Sequence, residues 1–279
     1  MIEGKDIVFR GQEKDARQHA CRRTQPGADG RFGAGMGFFP SFSGRFHASS
    51  GAGNGTMSQF EQDDSRLVIK LVYYGPALSG KTTNLICLHD RLQPELTGEL
   101  MTMETKDDRT LFFDLLPLGF KTASGLLVKL KLFTVPGQVQ HDSTRKAVLS
   151  RADGVVFVAD SQADQAINNG EAFQNLAENA ARVGLDFQTL PMVVQFNKRD
   201  LTHILPREAI RSRWGQAPWP LVFAIALTGH GVLTTFRELL VQVYARLDEQ
   251  HRLTKDHALD CGRFVTAIMG DVACMETER

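Results

Sequence analysis

From about residue 61 to 250 the chain alternates between two hydrophobic rhythms, short apolar runs and stretches with helical spacing. Leu67-Val-Ile-Lys-Leu-Val-Tyr-Tyr74 reads as a first strand, and Thr82–Leu92 as a helix that Pro94 stops. Leu111–Leu116 reads as a second strand. Val128–Phe133 alternates with period two, as a half-buried strand does when it forms an antiparallel hairpin with its predecessor. Val155–Ala159 is an unbroken apolar run, the mark of a central parallel strand covered on both faces. A helix over Asn169–Val183, a strand over Met192–Phe196, a helix over Pro206–Arg213, a strand over Val222–Ala226 and a closing helix over Val232–Asp248 complete the pattern. This alternation predicts a doubly wound α/β sheet, mostly parallel, with one antiparallel edge strand and helices on both faces. Residues 251–279 carry mixed polarity and either add a helix or fray.

Residues 1–60 break the rhythm. They hold 11 of the 25 glycines, and residues 27–55 read as a low-complexity linker through which Phe32, Phe38, Phe39, Phe42 and Phe46 are scattered. Disordered segments are usually poor in aromatics. Three readings stand side by side: a flexible tail, an adhesive interaction segment, and upstream sequence preceding a start at Met57.

Composition narrows the function classes. Lysine plus arginine (32) equals aspartate plus glutamate (32), so the balance of charge gives no support for a nucleic-acid binder. Cys21, Cys87, Cys261 and Cys274 form no CxxC pair, and the eight histidines show no zinc spacing, so neither a metal finger nor a disulfide framework is expected. No apolar stretch is long enough to span a membrane, and Met1-Ile-Glu-Gly-Lys-Asp lacks a secretory apolar core. A cytoplasmic protein is expected.

Two motifs carry the chemistry. The first strand runs into Gly75-Pro-Ala-Leu-Ser-Gly-Lys-Thr82 and then a helix, which is a phosphate-binding P-loop in its required context. Successive backbone N–H groups over Gly75, Ala77, Ser79 and Gly80, extended into the helix by Thr83, form a cage for phosphate oxygens. Lys81 supplies a point charge for the β- and γ-phosphates, and the Thr82 hydroxyl suits Mg²⁺. Asn197-Lys-Arg-Asp200 follows the strand Met192–Phe196. The Asp200 carboxylate can accept two hydrogen bonds from a guanine edge, whereas adenine would leave it unpaired. Asn197 can tie this loop to the P-loop, the Lys198 stem can cover the base, and the backbones of Ala226 and Leu227 can meet guanine O6. Together the motifs select GTP/GDP.

Between them, Phe133-Thr-Val-Pro-Gly-Gln138 leaves a strand where guanine-nucleotide proteins usually carry Asp-x-x-Gly-Gln. Gly137 can offer its N–H to the γ-phosphate, and Gln138 can orient the attacking water. Thr110, before the second strand, can close the Mg²⁺ shell beside Arg109. His141 falls in the same switch loop as a partner contact, and Arg145 and Lys146 open a helix as solvated charges.

Tyr73–Asn84, Asp108–Asp114, Thr134–Gln138, Asp153–Ser161 and Asn197–Asp200 resemble the corresponding segments of the bacterial MglA family, over about residues 66–248. The resemblance implies a P-loop NTPase of Ras-like G-domain fold, a small GTPase of cell polarity and gliding motility. It implies Arg109 as a built-in arginine finger and a homodimeric roadblock/LC7-type regulator, MglB, as partner. It further implies a monomer with effectors still to be identified, recruited to a cell pole or the inner membrane surface. Thr134 replaces the usual Walker-B aspartate, and Asp114 either substitutes for that charge or satisfies local backbone. Ala77 occupies a position where glycine is usual, so its methyl crowds the γ-phosphate and slows hydrolysis. A GTP-binding scaffold with little turnover, and a P-loop ATPase or kinase with an accidental Asn-Lys-Arg-Asp, are the rival readings.

Overall fold

A computed structural model describes residues 59–60, 66–103, 113–137, 142–215 and 217–270. The strands are β1 (Gln59–Phe60), β2 (Arg66–Tyr74), β3 (Met101–Met103), β4 (Phe113–Lys121), β5 (Leu127–Thr134), β6 (Gly154–Asp160), β7 (Met192–Asn197) and β8 (Leu221–Phe223). The helices are α1 (Lys81–Arg91), α2 (Asp142–Leu149), α3 (Ala166–Arg182), α4 (Arg207–Trp214), α5 (Val232–His251), α6 (Leu253–His257) and α7 (Cys261–Met269). The sheet order is β3-β4-β5-β2-β6-β7-β8, with β1 paired to β2 off that path.

Five neighbouring strands, β5, β2, β6, β7 and β8, are parallel, as their apolar runs predict. The antiparallel strand is β4, paired with β5, and short β3 lies outside it. β6 and β7 are buried at every residue, while β5 alternates buried and partly exposed positions. The sheet therefore carries two cores. One unites Leu85 and Leu88 of α1, Phe236 and Leu240 of α5 and Phe264 of α7 against Ile69, Leu71, Leu130 and Val156. The other places Phe173 and Leu176 of α3 and Trp214 of α4 against Tyr74, Phe157 and Phe196. Each two-sided strand contributes alternate residues to the two cores, the consequence of its period of two.

Two expected strands change length. β4 continues past Leu116 through Pro117 and Gly119, residues that normally argue against a strand. Gly98 N–H donates to Pro117 O and Gly119 N–H donates to Leu96 O, so the missing proline N–H faces away from β5 and costs no ladder bond. β8 stops at Phe223 rather than Ala226. From Ile225 the chain turns, with Ile225 N–H donating to His230 O and Gly229 N–H to Ile225 O. Past α5, α6 and α7 are folded onto the domain. Phe264 is fully buried against Phe120 of β4 and Tyr244 of α5, with ring centroids 6.3 and 5.5 Å away. The expectations for residues 1–58 lie outside the described residues.

Candidate functional site

The strand β2 ends at Tyr74, and the loop Gly75–Gly80 delivers the chain into α1. Gly75 and Gly80 have φ of 146° and 96°, a region that suits glycine. Space also demands glycine there. A Cβ on Gly75 would collide with Val158 O, and one on Gly80 with Asn197 Nδ2. Leu78 adopts φ 61° without being glycine and is almost fully exposed. Lys81 Nζ curls back over the loop, donating to Gly75 O at 3.1 Å and Pro76 O at 2.6 Å. Burial, with the nearby Arg145 guanidinium adding repulsion and Asp114 opposing it, lowers the Lys81 ammonium to about 7. A group so placed gains its full charge when an anion arrives.

Thr82, in the first turn of α1, donates its hydroxyl to Asp114 Oδ2 at 2.6 Å. Thr134, at the end of β5, donates to the same oxygen at 3.0 Å and accepts from Asp114 N–H at 2.9 Å. Of the two alternatives for Asp114, its side chain thus reaches the Thr82 hydroxyl across the sheet. Asp114 stands behind Thr82, beside the uncharged Thr134. Two hydroxyls and a carboxylate are an all-oxygen set, suited to a hard divalent cation such as Mg²⁺. Thr83 is half-buried.

The C-terminal end of β7 meets the P-loop through one side chain. Asn197 is buried, its Nδ2 donates to Ser79 O at 2.9 Å, and its Oδ1 accepts from Ala226 N–H at 2.9 Å. Ser79 is fully buried, and its carbonyl rather than its hydroxyl carries this tie. Lys198, at φ 64°, pairs through Nζ with Asp160 Oδ2 at 2.7 Å. Asp200 and Leu227 are exposed, while Ala226 is buried. Arg91, at the end of α1, donates to Thr228 O and closes the loop that holds Ala226 and Leu227.

Gly137 lies on the P-loop. A Cβ added to it would collide with the Ala77 backbone and come within 2.9 Å of the Ala77 methyl. The expected switch glycine and the unusual alanine are thus in direct contact. Arg109, Thr110, Gln138 and His141 lie outside the described residues.

One expectation is overturned. Arg145 is no solvated charge but is fully buried, with Nε donating to Pro136 O at 2.9 Å and Nη1 to Asn175 Oδ1 at 2.7 Å. The signal was present in the sequence. Arg145, Val148 and Leu149 share the i, i+3, i+4 stripe that α2 turns inward. Lys146, by contrast, is partly exposed and pairs with Asp142 at 3.1 Å. Sequence reasoning also assigned no role to Asp160 as the partner of Lys198, or to the buried chain Asn84–Gln195–Thr235. In that chain, Gln195 Nε2 donates to Asn84 Oδ1 at 2.9 Å and to Thr235 Oγ1 at 2.8 Å, while Asn84 Nδ2 donates to Gly80 O at 2.9 Å.

No protein-family model matches the chain. Mutual gliding-motility protein MglA of Myxococcus xanthus (strain DK1622) is 41% identical to it over 191 residues, which is 68% of this chain and 98% of that protein. At that identity and coverage, with the P-loop, the Ras-like sheet and the Asn197 loop in their places, the chain belongs to the MglA family of bacterial Ras-like small GTPases.

Proposed function

We propose that this chain is a guanine-nucleotide switch that binds GTP with Mg²⁺, hydrolyses it to GDP, and serves bacterial cell polarity or motility. The observation that carries the reading is the Asn197 side chain, bonded at once to the P-loop carbonyl of Ser79 and to the Ala226 amide. A chance polar turn after a strand has no reason to be buried against a phosphate loop. Asp200, three residues on and exposed, is free to meet a guanine edge.

In this reading Lys81 leaves the Gly75 and Pro76 carbonyls for the β- and γ-phosphates. Thr82 and Thr110 would hold Mg²⁺, with Asp114 and Thr134 behind Thr82; the ion would supply charge neutralisation on the phosphoryl oxygens. Gly137 offers its N–H to the γ-phosphate, Gln138 orients water, and Arg109 stabilises developing charge. The G domain takes in residues 61–250 and is extended by α6 and α7, which share its core, with residues 1–60 as a flanking segment. A roadblock/LC7-type regulator is the expected partner in hydrolysis, by resemblance to the family. The relative's name points to gliding motility. No helix among the described residues is long and apolar enough to cross a membrane; recruitment to a cell pole or the inner membrane surface is expected by resemblance to the family.

The contact between Ala77 and Gly137 favours a second reading, a GTP-binding scaffold with little turnover. One experiment separates the readings. Labelled GTP bound to the protein is challenged with GDP, ATP and Mg²⁺ chelation, and turnover is followed with and without a roadblock/LC7 dimer. Displacement by GDP but not ATP, with turnover, is expected. Binding without turnover in either condition supports the scaffold. Equal displacement by ATP, unaltered in Asp200→Asn, overturns the guanine assignment.

A further inference from the structure

The bulkiest fully buried side chain among the described residues is a cation, Arg145 of α2. Burying a guanidinium is costly unless its donors are met and its charge is answered. Nε and Nη2 donate to the carbonyls of Pro136 and Gly137, and Nη1 donates to Asn175 Oδ1. The Tyr74 ring lies 5.3 Å from the guanidinium carbon, and Tyr74 Oη donates to the same Asn175 oxygen at 2.5 Å. The charge is answered only at a remove. Among the described residues no carboxylate pairs directly with Arg145; Asp142 is reached through Asn175 Nδ2 at 3.2 Å and Asn179 Nδ2 at 2.7 Å. Such a guanidinium keeps much of its field for the two carbonyls it holds.

Those carbonyls belong to the peptides on either side of Gly137. The Pro136 carbonyl and the Gly137 N–H are opposite ends of one planar trans unit. Anchoring the oxygen on Arg145 therefore aims the N–H the other way, and a cation on the oxygen polarises the unit and strengthens the N–H as a donor. On its other side Gly137 is stopped by the Ala77 backbone. We infer that Arg145 is a positioning residue for nucleotide discrimination: by gripping the Pro136 and Gly137 carbonyls it fixes and polarises the Gly137 amide that would meet a terminal phosphate, and so favours a nucleoside triphosphate over a diphosphate. This rests on the guanine-nucleotide reading above. A lysine cannot replace the fork, because one ammonium cannot reach Pro136 O, Gly137 O and Asn175 Oδ1 in the same geometry.

The test uses the full chain and equilibrium binding of fluorescent GDP and a non-hydrolysable GTP analogue. Arg145→Gln is expected to keep GDP affinity within about threefold while weakening the GTP analogue about tenfold or more, the loss expected for charge-assisted hydrogen bonds. Arg145→Lys should rescue less than half of that effect on a logarithmic scale, and Asn175→Ala, which removes the acceptor for Arg145 Nη1 and Tyr74 Oη, should give an intermediate shift. An unchanged GTP-to-GDP ratio in any folded Arg145 variant overturns the proposal, as does equal weakening of both nucleotides, which marks a purely structural role. If Arg145→Gln fails to fold, the ratio in Arg145→Lys and Asn175→Ala decides. Wild-type protein that binds ATP as well as GTP, or neither, overturns the guanine reading instead, and does so before any variant is made.

Discussion

Thr134 and Asp114 face each other across β4 and β5, one residue beyond the paired Leu115 and Phe133, and their exchange of roles invites a swap. If the Asp114 carboxylate supplies the charge behind Thr82, Asp114→Asn raises the Mg²⁺ concentration needed for slow nucleotide release about tenfold, the scale of a lost outer-shell ligand. Thr134→Asp alone sets a second carboxylate beside the first and should not help. The double variant, with the carboxylate moved to the other strand, should recover most of the loss; a Mg²⁺ titration of nucleotide release reads all three. Lys81 makes a separate prediction. Its ammonium, lowered to about 7, is largely neutral at pH 8 and regains its proton when phosphate arrives. Nucleotide binding at pH 8 should take up protons, seen as a heat that varies with the buffer's ionisation enthalpy, and affinity should fall as pH rises from 7 to 9. Binding heats identical across buffers, with Lys81→Ala no different, would remove this role. At Ala77, replacement by glycine relieves the methyl contact with Gly137 but not the backbone contact. Ala77→Gly should therefore speed single-turnover hydrolysis, whereas Gly137→Ala should lose response to the γ-phosphate even in the Ala77→Gly background.

At the scale of elements, α7 is held by Phe264 together with Val265, Ile268 and Met269. Phe264 is fully buried between β4 and α5, so Phe264→Ala should cost about 3–5 kcal/mol in urea denaturation, as large-to-small core changes do. A loss below about 1 kcal/mol would mean that α7 detaches freely. This helix was not legible beforehand. Its stripe of Phe264, Val265, Ile268 and Met269 is short and lies past the alternating pattern, and its Asp260 cap, which accepts from Arg263 N–H at 2.8 Å, blends into a polar stretch. β6 and β7 were legible because strands covered on both faces must be apolar throughout. β4 was legible only to Leu116, since Pro117 reads as a terminator until its free side is seen to face away from the ladder. The nucleotide loops were legible for a different reason. Gly75, Gly80 and Asn197 answer to local geometry that few other residues satisfy, so type and spacing suffice to find them. Arg145 was missed because a charge in sequence defaults to solvent, although it shares its stripe with Val148 and Leu149; its partners Pro136, Gly137 and Asn175 come together only in the fold.

For the molecule as a whole, equal numbers of acids and bases hide an uneven interior. Lys70 and Asp153 sit together under β2, with Lys70 N–H donating to Asp153 Oδ2 at 2.7 Å. Burial moves both toward their neutral forms, raising Asp153 to about 6 and lowering Lys70 to about 8. A raised carboxyl favours the folded state most below its unfolded value near 4, and that contribution is lost as pH rises through about 6. Asp153→Asn should thus gain stability relative to wild type as pH rises from about 4 to about 6, by about 3 kcal/mol at most, and no further above that. Parallel melting curves across that range would refute the assignment.

Asn197 bonds the phosphate loop with its nitrogen and the loop after β8 with its oxygen, and this has a consequence for fragments of the nucleotide. The two ends of the ligand meet one rigid body, so whichever fragment arrives first has already ordered the cradle for the second. Guanosine and pyrophosphate, each a feeble ligand alone, should therefore bind with positive cooperativity, and each should sharpen the other's affinity by the same factor. With alanine at 197 the fragments would become strangers to one another, although neither had ever touched its partner.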